Sequence, residues 1–261
     1  MSFARISALA KAEWLQFWRN KLLMYMAVLF PLGMPVFMFF VAGGRDNLTT
    51  VAGASHYETF LLMTMMLVQF YSVLSMITTR RDEGVLKRLR TGEALDAEIL
   101  LAICIPGAVI SLFSGALLIG VFLALGVPMP ENILVIALAT ILGLVISSGL
   151  ALWTSSFTRN AEAAQITSMP VMLLAMGSLS TFRPLFANAA DGLILRIIDR
   201  TPFAAVFDVS FIGWSGSTYG EIVAESADAA GSAGVSLAIA TLWAVAAVVI
   251  GVKSVKWDTY R

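Results

Sequence analysis

Charge in this chain concentrates in one stretch, Arg80 to Gly92, which reads RRDEGVLKRLRTG and holds Arg80, Arg81, Lys87, Arg88 and Arg90 between two long apolar runs. Residues of these types make and break no bonds unaided; their chemistry is recognition, through charge and through whatever apolar face the segment presents. On a helix turning ~100° per residue, Val85, Leu86 and Leu89 share one side, while Glu83, Lys87 and Arg90 share another. Glu83 precedes Lys87 in the order that favours a helical ion pair. Such a segment can dock on a protein, lie on anionic headgroups, or stay a solvated loop. Lys and Arg near span ends bias a loop to the cytoplasm, so the same residues predict the orientation of the chain.

Other chemistry is scarce. There is no GxxxxGK[ST] loop, no HExxH, and no convincing nucleophile, base and acid set. One histidine, His56, falls in a predicted outer loop and is expected at the surface; one cysteine, Cys104, allows no internal disulfide and no cysteine-cluster metal site. The composition is 59% hydrophobic and 13% charged, against about 25% charged in soluble domains, which indicates a polytopic membrane protein. Zero net charge argues for no nucleic-acid partner. The apolar runs are nearly free of Asp and Glu, whereas a proton- or sodium-driven carrier ordinarily keeps such groups near the midplane. Energy is therefore expected from elsewhere, and no cofactor is predicted on this chain.

The elements that position the basic segment follow from charge-free length, since a helix needs about 20 apolar residues to cross ~30 Å of hydrocarbon. The fold class expected is all-α with six spans, at about 22–44, 59–79, 99–125, 133–157, 163–182 and 233–252. Residues 1–21, with Arg5, Lys11, Arg19 and Lys21 among Phe3, Ile6, Leu9, Trp14 and Phe17, read as an interfacial helix rather than a signal peptide. Pro31, Gly33 and Pro35 should kink the first span. Gly107, Ser111 and Gly115, and likewise Gly143, Ser147 and Ala151, form small-residue stripes suited to close helix packing. Residues 183–230 carry Arg196, Asp199, Arg200 and Asp208, too many charges for a span, and are read as interfacial or re-entrant helices on the outer face. With both termini cytoplasmic, thirteen of the seventeen basic residues lie inside. Polar or adaptable side chains within spans, Gln69, Ser72, Gln165, Ser168, Met172 and Met176, are the candidate substrate path.

Taken together, the N-terminal interfacial helix, six spans, the RRDEGVLKRLRTG segment and the short helices before the last span resemble the type II ABC exporter permeases, the drug and polysaccharide exporter family. The acidic, Gly, x, Leu, Lys, Arg, Leu, Arg pattern is the most specific piece. The resemblance implies that residues 80–92 form a coupling helix seated in a groove of a separate cytosolic ATPase, with Arg81, Asp82, Glu83, Gly84, Leu86, Lys87, Arg88, Leu89 and Arg90 at the contact. It implies ATP and Mg on that ATPase, a second permease copy or sister chain, and a bacterial plasma-membrane location. It also implies export of a hydrophobic or amphipathic substrate, such as a drug, antibiotic or lipid-like molecule. A glycan exporter or a non-transporting scaffold or sensor are the alternatives. Arg183-Pro184 and Thr201-Pro202 stand where drug exporters show Leu-Pro and Asn-Pro, which leaves the substrate open.

Overall fold

The computed structural model describes residues 3–19, 21–46, 48–92, 94–186, 192–216 and 229–258, and these are helices joined by short turns. In chain order they are α1 (Phe3–Arg19), α2 (Lys21–Val41), α3 (Thr50–Asp82), α4 (Val85–Arg90), α5 (Asp96–Leu125), α6 (Ile133–Ser155), α7 (Ala161–Gly177), α8 (Leu193–Ile198), α9 (Pro202–Ser215) and α10 (Ala229–Ser254). Four of them, α3, α5, α6 and the part of α10 from Gly234, are long and apolar enough to cross a membrane, and α2 and α9 hold shorter apolar stretches. Helices suit hydrocarbon because they satisfy their own backbone groups. Residue 93 and parts of the predicted outer loop, 187–191 and 217–228, lie outside the described residues.

Several boundaries differ from the sequence expectation. The second span does not begin near Thr59 but at Thr50, where the Thr49 hydroxyl accepts from the Ala52 amide at 3.0 Å and caps the helix. The expected surface loop around His56 is therefore helical, and His56 is buried between the rings of Phe39 and Phe122 at 5.8 and 6.0 Å. Glu58, two residues further on, is also buried, so the spans are less free of carboxylates than the sequence reading held. Midway, Thr64–Tyr71 is a π-helical segment. α2 runs as helix through Pro31 and Pro35, and α7 ends at Gly177, short of the expected 182.

The bundle is organised on α3 and α6. Gly107 and Gly115 of α5 lie against Gln69 and Val68, and against Tyr57 and Phe60, on α3; a Cβ at Gly107 would come 2.6 Å from Gln69, and one at Gly115 2.8 Å from the Tyr57 hydroxyl. Gly143 of α6 meets Met65 in the same way. Both small-residue stripes thus serve α3 rather than each other, which brings backbones close where apolar attraction between helices is weak. On its other side α6 touches α10, where Gly149 and Gly251 allow the two backbones to cross in contact.

Helix α9, read from the sequence as interfacial or re-entrant, is buried within the bundle. Phe203, Val206, Phe207, Phe211 and Trp214 are all buried, and a helix apolar on every side belongs in a core. It packs on α3, α6 and α10 at the end of the bundle opposite α4, and its last turn accepts from the turn before α6, Asn132 N to Gly213 O at 2.8 Å. The shorter α8, by contrast, leaves Leu193 and Ile197 exposed. Helix α1 likewise does more than float at an interface, since it packs along α5 with Glu13 buried and paired to Arg80.

Replacing Gly149 with Leu should lower the thermal midpoint of the purified chain, because overpacking costs about 1–3 kcal/mol even where neighbours can shift. Gly120→Leu, where a side chain meets open space, should leave the midpoint unchanged in the same melting assay.

Candidate functional site

The basic segment forms a helical hairpin at one end of the bundle. α3 runs on to Asp82, Gly84 turns the chain with φ of 68°, a left-handed conformation open to glycine, and the short α4 follows. The apolar side expected to dock elsewhere is used at home: Leu86 is fully buried in the core of this chain and Leu89 packs against it. Asp82, Glu83, Lys87, Arg88 and Arg90 are exposed instead. Arg90 pairs with Asp96 at 3.3 Å and stands 5.2 Å over the Trp257 ring, and Lys87 pairs with Asp258 at 3.1 Å. The C-terminal tail therefore lies beside α4. A Leu86→Asp change would report on folding before it reported on any partner.

Arg81 differs from its neighbours. It is fully buried, and its guanidinium donates to the carbonyls of Ser155 at 2.7 Å, of Thr158, and of Arg159 at 3.3 Å. Those carbonyls belong to the end of α6 and the turn into α7, which a helix leaves unpaired. Arg81 thus ties α4 and α3 to α6 and α7, and it faces the interior rather than a partner.

The six path candidates are not brought together. Gln69, in the π segment, is 1% exposed and its amide donates to Cys104 O at 3.1 Å and Ser148 Oγ at 2.7 Å, bridging α5 and α6. Ser72 is half-buried and bonds back to Leu67 O at 3.1 Å within α3. On α7, Ser168 is buried and donates to Gln165 O at 2.8 Å, Met172 packs on the core, and Gln165 and Met176 are exposed. Gln69 and the exposed side of α7 therefore belong to different surfaces.

A polar cluster at the far end of the bundle escaped the sequence reading. Glu58 accepts from the Ser180 amide at 2.9 Å and from the Ser180 hydroxyl. Arg183 donates to Ser178 O at 2.8 Å, to Asp208 at 2.7 Å and to Ala204 O at 3.1 Å, with Asp199 at 3.8 Å. Burial alone would lower the Arg183 guanidinium, but Asp208, Glu58 and Asp199 outweigh it and hold it above its ordinary value. Ser178 also meets Thr201, 2.9 Å between hydroxyls, and the Thr201 hydroxyl caps α9 by accepting from Ala204 N at 3.2 Å. The cluster joins α3 to the turn after α7 and to α9. Its only sequence signal was a set of charges, Glu58, Arg183 and Asp208, inside apolar surroundings.

With a membrane-spanning bundle and a basic helical hairpin at one end in view, the family assignment is direct: the model of the ABC-2 type transporter family matches residues 4–187. The chain belongs to the ABC-2 type transporter family. No curated protein matches it. It is a multi-pass membrane protein and an ABC transporter permease subunit, a kind of chain that works with an ABC ATPase. In this permease the matched region takes in α4, Arg81 and the Glu58–Ser180 contact, and ends before α9.

Two substitutions separate holding from contacting. Arg81→Met should destabilise the permease by about 1–3 kcal/mol, the cost of stranding buried carbonyls, whereas exposed Arg88→Ala should stay within ~0.5 kcal/mol; thermal melts in detergent read both. Arg183→Met should cost more, about 3–5 kcal/mol, because it strands buried carboxylates. Adding Glu58→Gln to it should restore part of the lost melting temperature.

Proposed function

We propose that the chain is the permease of an ATP-driven exporter and that α4 is where a cytosolic ATPase engages it. The observation that carries this reading is the division of α4 into two sides. Leu86 and Leu89 fasten it to the bundle, and Lys87, Arg88 and Arg90 face outward with Glu83. A helix so fastened moves with the elements it is fastened to, and Arg81 extends that fastening to α6 and α7. Force applied at α4 is thereby delivered to three helices, α3, α6 and α7, instead of one.

On this reading α2, α3, α5, α6, α7 and α10 are the six spans, α1 lies at the inner interface, and both termini are cytoplasmic in a plasma membrane. Two permease chains sit above two ATPases, which hold ATP and Mg. The exposed apolar faces of α2, with Leu29 and Phe37, and of α7, with Ile166, Met169 and Leu173, are available to a second permease copy or a sister chain. The cargo is a hydrophobic or amphipathic molecule, such as a drug, an antibiotic or a lipid-like compound. The carboxylates held within the bundle at its far end, Glu58 and Asp208, are engaged by Ser180 and Arg183, and the apolar surround favours such a cargo over an ion-coupled solute.

Purification of tagged chain in mild detergent from its own membrane, with ATP hydrolysis measured on the retained material, tests the assignment. ATPase activity should accompany the wild-type chain. Lys87→Glu combined with Arg88→Glu should lower it more than ~10-fold at unchanged melting temperature, since like charges placed together cost several kcal/mol at an interface. Equal retention by the variant would remove α4 as the contact, and no retained ATPase in the wild type would remove the exporter reading.

A further inference from the structure

Between α5, α6 and α10, in the half of the bundle nearer α4, lies a crevice of about 450 Å³. Leu101, Ile105, Leu144, Val145, Val248 and Val252 line it, and Gln69 and Ser148 lie at its polar floor. The crevice has a structural cause. Gly149 and Gly251 let α10 press against α6, while the Gln69 amide bridges α5 and α6 across a gap that neither helix closes. Leu101, Val248 and Val252, on its walls, are also exposed on the outside of the bundle. An apolar slot facing hydrocarbon loses dispersion contacts if it stands empty.

We propose that this crevice is a binding site for one acyl chain of an anionic phospholipid from the leaflet at the α4 end. Its volume lies within the range of small-ligand cavities, about 300–1,000 Å³. A crevice of that volume holds no more than about one turn of an α-helix ~10–12 Å across, too little to dock a helix of a second protein. Charge decides the headgroup. Lys253 directly follows the lining residue Val252 in sequence and is exposed; of the carboxylates flanking the lining residue Ala97, Asp96 is paired with Arg90, and Glu98 is buried and faces Arg5 at 3.7 Å. An exposed cation next to the lining suits a headgroup phosphate, as basic residues beside span ends do for anionic lipids. Such a lipid wedges α5 away from α6 and α10, so its presence sets the spacing of helices that join the α4 end to the membrane interior. This inference needs neither an ATPase nor an assigned cargo.

The test reconstitutes the full chain in nanodiscs of phosphatidylcholine and phosphatidylglycerol containing traces of phosphatidylglycerol with a diazirine on its acyl chain. After illumination, adducts are mapped by peptide mass spectrometry. Labelling of residues 97–108 and 144–152 should exceed, several-fold, that of the equally lipid-exposed stretch holding Leu112, Phe113 and Leu117. Ala108→Phe, or Val248→Phe if the first variant does not yield monodisperse protein, should abolish the excess by filling the slot. Lys253→Glu, or a phosphatidylcholine probe, should reduce it. Even labelling over both stretches, or an excess that survives both filling variants, would overturn the site. An excess indifferent to headgroup and to Lys253 would overturn its anionic lipid.

Discussion

A helix end buried in a bundle has carbonyls that its own backbone cannot satisfy, and the fold at the α4 end depends on one guanidinium that satisfies them. Arg81 belongs by sequence to the basic segment and by position to the interior, where it collects the carbonyls that α6 leaves open. With those bonds made, the turn into α7 is fixed, and Thr158 and Thr167 can meet at 2.9 Å to start α7 from it. The exposed charges of α4 are then free to serve as surface. A single segment thus carries both the anchor and the presented face, separated by the left-handed turn at Gly84.

The opposite end obeys the same constraint with different groups. α9 is wholly apolar apart from Asp208 and a few hydroxyls, and Asp208 enters the bundle only in company with Arg183. Glu58 on α3 is met by Ser180, so the turn following α7 is clamped from both sides. Charges that look prohibitive when weighed singly become tolerable when each has a partner and a hydrogen bond. For this reason a helix disqualified as a span by its flanking charges is nonetheless buried.

Much of the fold was legible in the sequence: apolar length located α2, α3, α5, α6 and α10, and the basic segment was found by charge alone. Misreadings share one cause, which is that pattern reports on a residue's own element and not on what that element meets. His56 looked like a loop residue and Glu58 drew no reading because their partners, Phe39, Phe122 and Ser180, lie elsewhere in the sequence. Leu86 and Leu89 were correctly recognised as one apolar face, but periodicity cannot say whether such a face meets its own chain or another. The path candidates were chosen for polarity or adaptability within the spans, and two of the six, Ser72 and Ser168, answer the polar cost locally through carbonyls of their own helices. Gln69 alone bridges two other helices.

The π segment of α3 bears on this last residue. Its hydrogen bonds close wider turns than those of the α-helix on either side, and one residue added to a turn rotates everything beyond it by ~100°. α3 is consequently two helices in different phase sharing one axis. The half before the segment directs Tyr57 and Phe60 to α5 and α9, and the half after it directs Ile77 and Arg81 to the core beneath. A regular helix of the same sequence could align one of these seams but not both, so excising one residue from Thr64–Tyr71 would unmake the match between the two ends of the molecule without touching either.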